Sequence, residues 1–225
     1  VPLRYTANKQ YEGETRGITT SEVWSEYYLT GYHGELKSYK FSDQGKLGEN
    51  GTGGFNYQTA IQYDSNEDKH IYGLPTNVTV TGSDGKVYHH VTATYDRKYA
   101  DHITQICQQL DSGKAVAVSD YTYDAYGNIT KITLSANDKG QRMWYSYHYE
   151  PEMKMYVERI EDAFGYRSEA SNFDYRYGMA LRRMDLNHYY YETDIDNLGR
   201  VKAVRGSNEL ATGQPYIIAF DYHPK

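Results

Sequence analysis

The 225-residue chain is short of the side chains that usually fill a core. Val, Ile and Leu occur 11 times each and Phe 5 times, 17% of the sequence. Below roughly 20%, such a composition ordinarily signals disorder. There is one cysteine, Cys107, so an intrachain disulfide is excluded. No run of even ten consecutive apolar residues occurs, and mean hydropathy is −0.84. That excludes a transmembrane helix, which needs roughly 20 apolar residues in a row. Basic charge is in deficit, with 24 Lys+Arg against 30 Asp+Glu and a formal net charge of −6. A nucleic-acid partner, which needs a concentrated basic face, is not expected. The opening Val1-Pro2-Leu3-Arg4 carries neither a basic nor an apolar leader segment, and a fragment or processed product is expected.

What the chain has instead is tyrosine, 27 of them. Tyr buries a large ring while keeping a polar tip, and it favours strands. Turn signals recur: Asp43-Gln44-Gly45, Ser83-Asp84-Gly85, Asp111-Ser112-Gly113, Asp124-Ala125-Tyr126-Gly127, Asp138-Lys139-Gly140, Asp162-Ala163-Phe164-Gly165 and Asp196-Asn197-Leu198-Gly199. In each, an Asp can bond its local backbone and a Gly tolerates positive φ. Between them lie strand-like runs at residues 76–81, 86–95, 115–123, 128–134 and 142–149. This is the pattern of consecutive hairpins. Tyr99, Ile103, Ile106, Cys107 and Leu110 also fit helical spacing, but strands on both sides favour a hairpin, 103–110 turning into 115–123. Residues 48–54, with four Gly in seven, read as a flexible loop or a boundary. The expected organisation is an N-terminal β segment over 1–54 and a hairpin array over 55–225, or one continuous domain.

Asp124-x-x-Gly127, Asp162-x-x-Gly165 and Asp196-x-x-Gly199 share one frame, with glycines 38 and 34 residues apart and Gly140 and Gly178 as intermediate turns. Tyr63-Asp64 and Tyr95-Asp96 keep the Tyr-Asp pair and lose the Gly. Tyr123-Asp124-Ala125-Tyr126-Gly127-Asn128 resembles the Tyr-Asp-x-x-Gly-Asn/Arg signature of the YD-repeat, or RHS, family in full. Asp196-Asn197-Leu198-Gly199-Arg200 matches apart from Ile195 in place of Tyr. The resemblance covers roughly residues 60–222, and it implies an all-β fold: consecutive antiparallel hairpins forming an extended, twisted or spiralling sheet. It further implies a structural repeat module of a bacterial surface or secreted protein, part of a scaffold or protective shell. Extracellular or cell-surface localisation follows from the same resemblance. Its partners would be other repeats of the same parent chain, a self-associating edge strand, a cargo domain or a glycan. The family's core-closing segment needs an Asp-Pro pair, which the sequence lacks, so neither self-cleavage nor a toxic cargo is carried over.

Chemistry-bearing constellations are sparse. His89-His90 on a strand would point to opposite faces and could not readily clamp one metal. Asp101-His102 with Cys107 lacks an orienting third group. His148 alternates against Tyr145, Tyr147 and Tyr149. Asp194-Ile195-Asp196-Asn197 comes nearest to a calcium loop without matching one. Arg182-Arg183 reads as a solvated strand face, and Asn77 and Asn128 begin N-x-Thr sequons read as lying at strand starts. No catalytic residue, metal ligand or cofactor is expected. An alternative function is a carbohydrate- or protein-binding module using exposed aromatics, with Trp144, Tyr147 and Tyr149 as the candidate platform.

Overall fold

The computed structural model describes residues 2–11, 13, 18–28, 34–43, 45–97, 101–109 and 116–223. Asp111-Ser112-Gly113, Tyr99, Leu110 and Gln44 lie outside the described residues. The chain divides into two compact units, 1–120 and 121–225. The first carries β1 (Tyr5–Gln10), β2 (Ile18–Tyr27), β3 (Leu36–Ser42), β4 (Tyr57–Asn66), β5 (Ile71–Gly82), β6 (Val87–Tyr95), β7 (Ile103–Gln109) and most of β8 (Val116–Tyr123), with a 3-10 turn at Glu67–Lys69. The second carries β9 (Ile129–Ala136), β10 (Arg142–Tyr149), β11 (Val157–Asp162), β12 (Arg167–Asp174), β13 (Met179–Met184), β14 (Tyr190–Ile195), β15 (Val201–Gly206), α1 (Ser207–Thr212) and β16 (Ile218–Ala219).

The fold is all-β, and within each unit strand order follows chain order. In the first unit successive strands from β1 to β8 pair antiparallel. In the second the same holds from β9 to β16. The contested segment is strand, with Ile106 opposite Ser119 and Cys107 opposite Val118. Pairing neighbours decides the matter there: a lone helix would leave two strand edges open. The short α1 was not foreseen. Glu209 Oε2 accepts the Gly206 N–H at 3.1 Å, and Gly213 closes the helix at φ 73°. Asn77 lies inside β5 rather than at a strand start, because Pro75 and Gly73 are accommodated by register shifts that let the strand begin at Ile71.

Burial is thin. Among the described residues the buried apolar side chains are Leu47 in the first unit and Ala180 and Met184 in the second. Aromatic rings supply part of the missing packing. Phe41 stacks on Tyr57 with centroids 5.0 Å apart, and Tyr156 on Phe173 at 5.3 Å. Such pairs add about 0.5–1.5 kcal/mol beyond area burial. Other tyrosines act through the hydroxyl. Tyr27 donates to the Leu3 carbonyl at 3.0 Å, Tyr95 to Pro75 at 2.8 Å, Tyr149 to Ile129 at 3.0 Å and Tyr222 to Val201 at 2.8 Å. In each, a ring late in one strand or just beyond it reaches back to backbone near the start of the preceding strand.

Candidate functional site

The most regular feature is the corner between hairpin strands. Asp124 Oδ1 accepts the N–H of Tyr126 at 2.8 Å and of Asn128 at 2.9 Å, and the Asn128 amide donates to Asp124 Oδ2 at 3.0 Å. The Asn128 amide also reaches the Lys154 carbonyl at 2.6 Å, tying this corner to the β10–β11 loop. Gly127, at φ 88°, occupies the left-handed position. Asp162 repeats the pattern with Phe164 at 2.9 Å and Tyr166 at 3.0 Å. Asp196 repeats it with Leu198 at 2.8 Å and Arg200 at 3.0 Å, and the Arg200 guanidinium closes on Asp196 Oδ2 at 2.7 Å. The Asp124 carboxyl is pushed up by partial burial, yet bonds from Asn128 and the corner N–H groups outweigh that and hold it below its ordinary value. Asp196 is likewise depressed, chiefly by the Arg200 N–H.

The anchoring position is three residues before the left-handed residue, which corrects one reading and adds one corner. In the turn before Gly140 the side chain that accepts is Asn137, not Asp138: its Oδ1 takes the N–H of Lys139 and of Gln141, both at 3.0 Å. Asp185 anchors a further corner through Asn187 at 2.8 Å and Tyr189 at 3.0 Å. There His188 takes the left-handed position at φ 64°. With no Gly to mark it, that corner escaped the sequence pattern. Gly178 follows a different turn, in which Asp174 accepts the Arg176 N–H at 3.0 Å. At the degenerate Tyr95-Asp96, the Asp96 N–H donates to the His102 carbonyl at 2.8 Å, joining β6 to β7.

Two buried carboxylates were also invisible in the sequence. Glu22, 4% exposed, accepts the Tyr5 hydroxyl at 2.5 Å, the Leu47 N–H at 2.6 Å and the Gly48 N–H at 3.3 Å. Burial pushes its carboxyl up, but these donors prevail and hold it below its ordinary value, while the Tyr5 hydroxyl is pushed up to about 12 by the bond to Glu22. Glu22 thereby draws the glycine-rich stretch onto β1 and β2. Gly51 is required there by closeness, since a Cβ would sit 2.4 Å from the Trp24 ring. Glu150 accepts the N–H of Glu152 at 2.8 Å, Met153 at 2.9 Å and Met155 at 3.2 Å, and the Tyr175 hydroxyl at 3.1 Å. Desolvation works against its ionisation, but the three loop N–H groups and Tyr175 hold it down at about 2.

Neither a family model nor a curated protein matches the chain. Among solved structures it is similar to TcdB2-TccC3-TEV, at 11% identity over 90% of this chain and 15% of that one, with TM-score 0.44. It is similar to the Tc holotoxin pore of Photorhabdus luminescens, at 12% identity over 89% of this chain and 12% of that one, with TM-score 0.39. It is also similar to a porin-like protein from Bacteroides uniformis, at 14% identity over 90% and 88%, with TM-score 0.35.

The remaining singled-out residues are dispersed. Trp144 pairs across from Thr133, with the Lys131 ammonium 4.6 Å from the centre of its ring. Tyr147 pairs with Ile160, and alternation along β10 sets it on the face opposite Trp144. Tyr149 is tied to Ile129, so the three residues do not form one platform. His90 Nδ1 lies 3.2 Å from Gln109, and His148 Nε2 accepts from Arg159 at 2.9 Å. Cys107 Sγ lies 3.2 Å from Gln105 Oε1. Asp194 receives Arg205 at 2.8 and 2.9 Å, apart from the corner role of Asp196. Arg182 faces Glu192 at 3.5 Å, which continues to Arg205 at 3.5 Å, a ladder of opposite charges across β13, β14 and β15. Among the described residues no three His, Cys, Asp or Glu side chains gather where a metal could sit. No helix among them is long and apolar enough to cross a membrane.

Proposed function

We propose that the chain is a non-enzymatic structural module, a run of antiparallel hairpins from a YD-repeat protein of the bacterial surface or exterior, serving as scaffold or shell wall. The observation that carries the reading is the reuse of one corner. Asp124, Asn137, Asp162, Asp185 and Asp196 each accept two backbone N–H groups with the same spacing. Carboxylates committed to backbone donors are held as staples and are poorly disposed to exchange protons with a substrate. The buried Glu22 and Glu150 follow the same logic, each accepting from loop N–H groups and a tyrosine hydroxyl. In such an array each hairpin is stabilised mainly by its neighbours.

Antibody labelling of intact and permeabilised producing cells tests the placement: labelling of intact cells is expected, and labelling only after permeabilisation overturns it. A broad hydrolase screen tests the non-enzymatic role. Turnover that disappears when a single Asp, Glu or His of this chain is replaced, with the fold intact, would overturn that role.

A further inference from the structure

A slot in the first unit has features that the structural role does not use. Tyr57 pairs opposite Gly82 and Thr59 opposite Val80, so Tyr57, Val80 and Gly82 share one face. Between β5 and β6 the register slips. Val80 pairs with His89 but Thr81 with Val87, leaving Tyr88 as the extra residue of a bulge. Bulges re-aim side chains, and this one lays the Tyr88 ring over Gly82. A Cβ on Gly82 would meet Tyr88 Cε2 at 2.5 Å and Asp84 Oδ1 at 2.8 Å. Gly82 does not have positive φ, so proximity, not backbone conformation, requires a glycine there. Tyr88 stays 67% exposed, with its hydroxyl held on Asp84 Oδ2 at 3.0 Å. Tyr57 is fixed from behind by Phe41 at 5.0 Å and Tyr39 at 6.2 Å. The result is a groove of about 410 Å³ with Tyr57 and Tyr88 in its walls and Val80 and Gly82 in its lining. That volume lies within the usual range for small-molecule sites.

The rim defines the ligand. Asn56, Ser83 and Tyr57 are also among the residues lining the groove, and the Asn56 amide nitrogen and the Ser83 and Tyr57 hydroxyls have no hydrogen-bond partner among the described residues. All are neutral. Asp84, the charged member, already accepts the Lys86 N–H at 3.0 Å and the Tyr88 hydroxyl, and the Lys86 ammonium stands 3.5 Å away. Neither a cation nor an anion finds an uncompensated charge. Aromatic walls suit a flat C–H face, and neutral donors and acceptors at the edge suit hydroxyl groups. We propose that the slot between Tyr57 and Tyr88 binds one pyranose unit of a neutral saccharide. This stands apart from the scaffold reading and can fail without it.

The probes are methyl β-glucopyranoside, methyl β-galactopyranoside, methyl α-mannopyranoside and N-acetylglucosamine, followed by amide NMR of the full chain, with tetramethylammonium chloride and sodium sulfate as charged controls. At least one glycoside should produce saturable shifts at Gly82, Ser83 and Tyr88, with a dissociation constant on the order of 1 mM. Tyr88→Ala, at an exposed position, should weaken binding about tenfold or more, a loss of about 1.4 kcal/mol, while leaving the melting curve in place. Gly82→Ala, which fills the slot, should do the same where it folds. Three results would each overturn the proposal: no glycoside shifts those amides, only tetramethylammonium or sulfate does, or Tyr88→Ala leaves the affinity unchanged.

Discussion

Asp124 and Asn128 hold each other at both ends of one corner. The carboxylate takes the Asn128 backbone N–H at 2.9 Å and its side-chain amide at 3.0 Å, and the Asp124 N–H returns to the Asn128 carbonyl at 3.0 Å. Asp124→Ala strips the carboxylate from those donors and should cost about 1–2 kcal/mol in urea unfolding. Asp124→Asn, which keeps an acceptor oxygen as Asn137 does, should cost less. Equal losses would contradict the corner's geometry.

The neighbouring turn separates the two ways of framing a corner. Asn137→Ala should destabilise by about 1 kcal/mol because Asn137 accepts two N–H groups, whereas Asp138→Ala should lie within about 0.5 kcal/mol of the parent. The reverse order in melting temperature would overturn the assignment.

Left-handed backbone gives a paired comparison. His188 holds φ 64° where the equivalent corner has Gly127 at φ 88°. His188→Gly should stabilise by up to about 1 kcal/mol, and Gly127→Ala should cost about 1–2 kcal/mol. Differential scanning calorimetry of both variants reads the two signs.

The pH dependence follows from Glu150 and the tyrosines. In the folded chain Glu150 titrates at about 2 against an ordinary 4.5, so between those values the unfolded chain binds more protons. Stability should fall as pH drops through that window. Tyr5 and Tyr175 are raised to about 12 from 10, so their contribution is complete below pH 10 and is lost as pH rises towards 12. Urea midpoints across pH should show both limbs, and Glu150→Gln should flatten the acid one.

Thr59 Oγ1 is buried without a hydrogen-bond partner among the described residues, in a residue 3% exposed. Thr59→Val keeps the shape and removes the stranded hydroxyl. It should raise stability by about 1 kcal/mol, visible as a higher urea midpoint.

Much of the hairpin series was legible because alternation and Asp-x-x-Gly corners are local signals. Residues 142–149 and β10 coincide, and the described residues of the expected strands 103–110 and 115–123 form β7 and β8. Glu22 and Glu150 were not legible because their principal partners are backbone N–H groups, which leave no side-chain signature. The Tyr149–Ile129 and Tyr95–Pro75 clasps were hidden by the abundance of tyrosine itself. The role of Gly51 is set by Trp24, 27 positions away in sequence, so local reading found only a glycine-rich loop.

The central claim is that corner carboxylates and amides staple the hairpins that a thin apolar interior cannot hold. Hydrogen exchange at the N–H groups of Asn128, Gln141, Tyr166, Tyr189 and Arg200 tests it most directly. All five donate to a corner side chain. They should exchange slowly, at rates set by strand opening, and Asp124→Ala should release Asn128 first. Exchange of these amides as fast as in an unfolded peptide would contradict the account.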